Sequence, residues 1–245
     1  MTAAASGTRG EIREQVLERS GEALIYDAAR LTDPDHLQLD AEAWSDRISG
    51  SAQGRAAALF IDDAVLGSLV LRHYHRGGLP ARLSQDRFVY RGLQATRPWR
   101  EWRLLRLAWM AGLPVPRPLA GRVRRTALSY TADILMDRIA DAESLADLLA
   151  KRRAADWPAL GRCLAAVHAA GFWHADLNAR NLLHNDQGWH VIDWDRGARR
   201  APGGWGQDNL ARLCRSLDKL RAAGELDYSG ADWQALLTAY AAARA

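Results

Sequence analysis

The chain has 245 residues, 48% of them hydrophobic, and a formal net charge of +4. That length gives one large domain or two packed lobes with room for a core. Two cysteines, Cys163 and Cys214, exclude a disulfide framework and read as buried thiols of a reducing compartment. No apolar stretch opens the chain and no run of about eighteen apolar residues follows, so neither a secretory leader nor a membrane span is expected.

Residues 1–43 read as an N-terminal extension, polar to Ser20, with a short helix over Glu11–Leu17 and a strand at Ala23–Tyr26. An N-terminal lobe then spans 44–139. Trp44–Ile48 reads as a strand leading into the small-residue loop Ser49-Gly50-Ser51-Ala52-Gln53-Gly54-Arg55. Ala56–Ile61 and Val65–Tyr74 are the next strands, with a turn at Asp62-Asp63. A loop of this kind between antiparallel strands can lie over nucleotide phosphates, because Gly50, Ser51 and Gly54 let backbone N–H groups approach. It is not a Walker A loop, since no Gly-Lys-Ser/Thr follows. The only lysines are Lys151 and Lys219, so Arg72 is the candidate cation on the third strand. Its partner would be Glu101, the only acid of the helix Pro98–Ala111. Arginine holds phosphate in a bidentate fork.

From Ala81 to Arg125 eleven arginines face only Asp86 and Glu101, a local net of +9 that leaves −5 for the rest of the chain. Such a block suits an anionic partner or is an ordinary solvated face. Trp99, Trp102 and Trp109 interleave with it and suit either a membrane interface or a core. Three prolines after Gly112 end the helix. Pro118–Val123 and Ser129–Met136 are two more strands, and Asp137–Ala140 is a hinge. The backbone of Met136–Ile139 is the expected seat of adenine.

The C-terminal lobe, 140–245, begins with a helix at Ser144–Ala150. Ala159–Ala170 is a helix with Gly171 as its C-cap. Then comes His174-Ala175-Asp176-Leu177-Asn178-Ala179-Arg180-Asn181, a short strand to His184, the turn Asn185–Gly188, and a returning strand ending Val191-Ile192-Asp193-Trp194-Asp195. Phosphoryl transfer from ATP is mostly positioning and neutralisation of charge by Mg²⁺. It needs a placed base, an amide and a carboxylate, and this span supplies Asp176, Asn181 and Asp193. Arg196–Gly206 reads as a loop, Asp208–Leu220 as a helix N-capped by Asp208, and Trp233–Ala243 as a closing helix.

The catalytic span, Leu71–Leu79 (Leu-Arg-His-Tyr-His-Arg-Gly-Gly-Leu) and Ile192-Asp193-Trp194-Asp195-Arg196-Gly197 together resemble the 3-deoxy-D-manno-octulosonic acid (Kdo) kinases, lipopolysaccharide core kinases of the protein-kinase-like superfamily. The resemblance implies an α+β, two-lobed fold with an antiparallel sheet in the first lobe and mainly helices in the second. It implies ATP-dependent phosphorylation of the 4-hydroxyl of Kdo on the anionic glycolipid Kdo-lipid IVA. It also implies a peripheral place on the cytoplasmic face of the inner membrane, with no nucleic acid as partner. Asp176 would be the base, Asn181 and Asp193 the metal ligands, and Arg72 with Glu101 the phosphate-holding pair. Ala175 stands where an arginine is usual, and Asp195 replaces the glycine after Asp-aromatic. An aminoglycoside- or choline-type phosphotransferase is the alternative; a pseudokinase and an arginine-rich nucleic-acid binder rank lower.

Overall fold

The computed structural model describes residues 10–34, 37, 39–52, 58–75 and 86–244. Gly54, the end of the Leu71–Leu79 stretch and Arg82 lie outside the described residues.

The first lobe is an antiparallel sheet. Its strands are β1 (Glu14–Arg19), β2 (Glu22–Asp27), β3 (Ile48–Ala52), β4 (Ala58–Asp63), β5 (Gly67–His73), β6 (Phe88–Val89), β7 (Pro118–Thr126) and β8 (Ser129–Asp137). Their order is β1-β2-β7-β8-β5-β4-β3, with β6 paired to β8. Alternation sorts the side chains. Leu24, Tyr26, Leu69, Leu71 and Leu135 cover one face with Leu39 and Trp44. Ile25, Val123 and Ile134 on the other face meet α1 (Arg97–Met110). Gly121 lets that helix close in, since a Cβ there would stand 3.2 Å from the Cβ of Pro98.

Three expectations for this lobe are corrected. Glu11–Leu17 is not a helix: Val16 pairs with Ile25 across the β1–β2 hairpin, and Gly21 takes the left-handed φ of +77° that the turn demands. Residues 14–27 are not appended to the lobe but built into its sheet, because β2 runs beside β7 with Glu22 opposite Arg124 and Tyr26 opposite Ala120. Trp44–Ile48 is not a strand. Residues Ala41–Arg47 form a 3₁₀ turn that drops Trp44 into the core, and the strand starts only at Ile48.

The second lobe holds β9 (Glu143–Ser144), α2 (Leu145–Ala150), α3 (Trp157–Ala169), β10 (Phe172–Trp173), β11 (Leu182–Asn185), β12 (Gly188–Val191), β13 (Ala198–Arg199), α4 (Trp205–Ala222) and α5 (Gly230–Ala242). Ser144 caps α2 by accepting from the Asp147 N–H, and Ser229 with Asp232 forms a capping box on α5. Gly161 is where α5 crosses α3, and a Cβ there would collide with the backbone of Leu236. The helix expected from Asp208 starts earlier, at Trp205, with Gly204 in the cap position and Asp208 an exposed first-turn residue. The loop expected over Arg196–Gly206 carries β13, paired with β10. Burial pushes the Cys163 thiol up to about 12, which leaves it unreactive.

Candidate active site

The lobes meet where β5 ends. Ala52, Ala58, Arg72 and Ile134 lie in one row across β3, β4, β5 and β8. Gly50 and Ser51 of β3 therefore lie near the end of the sheet that carries Arg72. The Arg72 guanidinium is shared. One nitrogen lies 2.5 Å from Glu101 of α1, and another bonds Asp193 from the second lobe. Tyr74 donates its hydroxyl to the same Glu101 oxygen at 2.6 Å. Burial works against the Arg72 charge, but Glu101, Tyr74 and Asp193 together outweigh it and the cation is held above its ordinary range. Burial likewise raises the Glu101 carboxyl, and Arg72 pulls it part of the way back.

The catalytic segment is held from both sides by hydrogen bonds the sequence did not announce. Burial keeps His174 neutral. Its Nε2–H donates to the Ile192 carbonyl at 2.9 Å, and its Nδ1 accepts the Asp176 N–H at 3.1 Å. Asn209, buried in the first turn of α4, accepts from the His174 N–H at 3.1 Å and donates to the His174 carbonyl at 2.9 Å. Asp208, one residue away, faces solvent and takes no part in this bracing. Asn181 donates through Nδ2 to the Asp176 carbonyl at 2.9 Å. That leaves its amide oxygen for a cation. The Ile192 N–H donates to the Asn181 carbonyl at 3.0 Å, so the two expected metal ligands flank the paired strands β11 and β12. Asp193 itself sits at φ +60°, a conformation that costs an aspartate about 1 kcal/mol and is imposed by these bonds.

Asp195 has a clear place. It accepts from Arg97 Nε at 2.9 Å, tying the segment after Asp193 to the start of α1, the helix that carries Glu101. At the hinge Met136 is buried, while the Ile139 main chain makes no hydrogen bond with any described residue. An adenine edge needs such a main-chain donor and acceptor. Asp176, Asn181 and Asp193 line one cleft of about 800 Å³ together with Asn178, Arg180, Arg212, Arg215 and Lys219. The two oxygen donors Asn181 and Asp193 suit a hard divalent cation, which prefers oxygen ligands.

The arginine block is mostly spent within the chain. Arg97 pairs with Asp195, Arg103 and Arg106 with Glu14, Arg117 with Asp27, and Arg122 and Arg124 with Asp40. The interleaved Trp99 and Trp102 are fully buried, so neither presents a membrane face.

A sheet lobe and a helical lobe, joined where Arg72 bonds Asp193 beside Asp176 and Asn181, are the arrangement of a kinase. Known proteins agree. The family model for the lipopolysaccharide kinase (Kdo/WaaP) family matches residues 40–240. A 3-deoxy-D-manno-octulosonic acid kinase of Stenotrophomonas maltophilia (strain R551-3) is 42% identical over 222 residues, covering 89% of each chain. The corresponding kinase of Xanthomonas campestris pv. campestris (strain B100) is 41% identical over the same share. Among solved structures, WaaP in complex with acyl carrier protein superposes with a TM-score of 0.52 at 19% identity, over 82% of this chain and 81% of that one. Amicoumacin kinase hAmiN in complex with AMP-PNP, Ca²⁺ and Ami gives 0.56 at 11%, over 81% and 72%. These two likenesses establish the protein-kinase-like, α+β fold. The chain belongs to the lipopolysaccharide kinase (Kdo/WaaP) family.

Proposed function

We propose that this kinase transfers the γ-phosphoryl group of ATP to the 4-hydroxyl of the Kdo sugar of Kdo-lipid IVA. The observation that carries the acceptor is identity of about 42% over 89% of the length of Kdo kinases. The cleft supports it, because Arg212, Arg215 and Lys219 favour an anionic acceptor over the cationic one of an aminoglycoside- or choline-type enzyme.

In this reading Asp176 accepts the proton of the attacking hydroxyl. Its backbone is set by His174 and Asn181, so the carboxylate is aimed before the acceptor arrives. Arg72, fixed by Glu101, holds the α- and β-phosphates through its planar fork. Gly50 and Ser51 offer backbone N–H groups to those phosphates, and Met136 to Ile139 seat the adenine. Asn181 and Asp193 would hold Mg²⁺, which when bound neutralises charge on the phosphate oxygens. The proposed location is peripheral, on the cytoplasmic face of the inner membrane. No helix among the described residues is long and apolar enough to cross a membrane. Support for surface contact comes from the end of the sheet where β6 pairs with β8: exposed Val89 of β6 and exposed Leu128 of the β7–β8 turn are near Arg91 and Arg125 in sequence.

The test is transfer of labelled γ-phosphate from ATP to purified Kdo-lipid IVA, with wild type and Asp176→Ala side by side. Labelling by wild type and a loss of about 10²–10⁴-fold in the variant is the expected result. Slow ATP hydrolysis with no labelled lipid from wild type would remove Kdo as the acceptor.

A further inference from the structure

The cleft beside Asp176 contains cations that the reaction as described does not use. Positions 212, 215 and 219 recur at helical spacing, so their side chains share one face of α4, and all three line the cleft with Asp176 and Asp193. Ser216 of the same face accepts the Ala179 N–H at 3.4 Å, which fixes the height of the helix against the catalytic segment. Arg180, on the opposite wall, is already paired with Glu225 at 2.7 Å. The side chains of Arg215 and Lys219 make no hydrogen bond or ion pair with any described residue.

Arg212 stands between these cations and the base. Its Nε donates to Asp176 Oδ1 at 3.0 Å and its Nη2 bonds the same oxygen. Both donors fall on one carboxylate oxygen, so Oδ2 keeps its lone pairs for a hydroxyl proton. A guanidinium has five N–H donors, so this one has three still to offer. The pair is also easy to adjust, since the two side chains are 47% and 43% exposed and an exposed ion pair contributes little.

We infer that Arg212, Arg215 and Lys219 form the seat for the acceptor's carboxylate, and that Arg212 joins this carboxylate to the base. The inference rests on the proposed acceptor, whose ring carries a carboxylate two carbons from the reacting hydroxyl. A carboxylate held on this face of α4 fixes the ring, and with it the distance from the 4-hydroxyl to Asp176 Oδ2. Arg212 is thus a positioning residue, and Arg215 and Lys219 determine specificity for an acidic sugar.

Binding is measured first, by saturation-transfer NMR with free Kdo and with the same sugar reduced at its carboxyl. Wild type should bind Kdo at least tenfold more tightly, and Arg215→Gln with Lys219→Gln together should erase that preference. Equal binding of both sugars by wild type, or a preference that survives the double substitution, overturns the inference. This readout needs no phosphoryl transfer. A carboxylate preference without labelled Kdo-lipid would therefore sink the proposed acceptor and leave the seat standing. Kinetics then separate the roles. Each single substitution should raise the KM for Kdo-lipid IVA about tenfold, whereas Arg212→Lys should keep most of that KM and lower kcat. If the penalty falls on the KM for ATP, the cations serve the nucleotide; if it vanishes with an acceptor stripped of its lipid phosphates, they serve those phosphates. Either result overturns the carboxylate assignment.

Discussion

On β7, Arg122 is only 5% exposed and is clasped by Asp133 at 2.8 Å and Asp40 at 3.0 Å, while Arg124 beside it takes Asp40 and Glu22. On α4, Arg215 and Lys219 lie in the open, with no partner among the described residues. By charge count the first stretch is the obvious binding surface and the second is unremarkable. The structure reverses that order. A cation whose field ends on its neighbours' carboxylates has little left for a ligand, and Arg122 with Arg124 holds Asp40 far below the usual carboxylate range. What recruits an anion is the residual charge after internal pairing, and Arg215 and Lys219 keep theirs in the cleft that Asp176 lines.

Cutting the buried side of this comparison should have the largest effect. Arg122→Ala leaves Asp133 and Asp40 facing each other without their shared cation, and should cost about 3–5 kcal/mol in urea unfolding. A loss under 1 kcal/mol would show that the β7 arginines are as dispensable as surface ones. Arg72 combines both characters, buried like Arg122 yet aimed at a ligand. Arg72→Met should lower kcat/KM by about 10²–10³ while the sheet stays folded by circular dichroism. Next comes pH. Burial depresses His168 to about 4, against 6.5 for the free side chain. The folded state is then favoured by a neutral ring, and that stability is lost as pH falls from about 6.5 towards 4. From pH 7 to 5 the loss should be about 2 kcal/mol, and His168→Gln should flatten it. Smallest is Arg215→Gln, which should move stability by less than about 0.5 kcal/mol. A larger shift would mean that α4 spends its cations on the fold after all.

Much of the second lobe was legible because its signals are local. The α3 stripe of Leu160, Leu164 and Val167, the Asn185–Gly188 turn and the spacing from Asp176 to Asn181 each fit within a few residues. The Arg72–Glu101 contact was also readable, by elimination, since no lysine precedes Lys151. Harder to read were features decided by distant partners. Glu14–Arg19 has no strong strand pattern, and its conformation is chosen by β2. Asn209 looks like any helical asparagine until His174 is placed under it. Trp99 and Trp102 carry the same letters whether they meet lipid or core. Asp195, puzzling in the sequence, needed Arg97 on a separate helix to explain it.

The insertion of β2 beside β7 has a consequence for how the molecule is made. Glu22 and Arg124, joined at 3.0 Å across these strands, are 102 residues apart in sequence. At roughly 5–20 residues per second of synthesis, the β1–β2 hairpin waits on the order of 5–20 seconds outside the ribosome before its partner strand emerges. Throughout that interval it is a small ribbon with both edges unpaired and apolar Leu24, Ile25 and Tyr26 unburied, the kind of segment that chaperones hold and stray strands capture. The nascent chain is thus most vulnerable early, and completion of β7 is the moment at which the first lobe becomes able to protect itself.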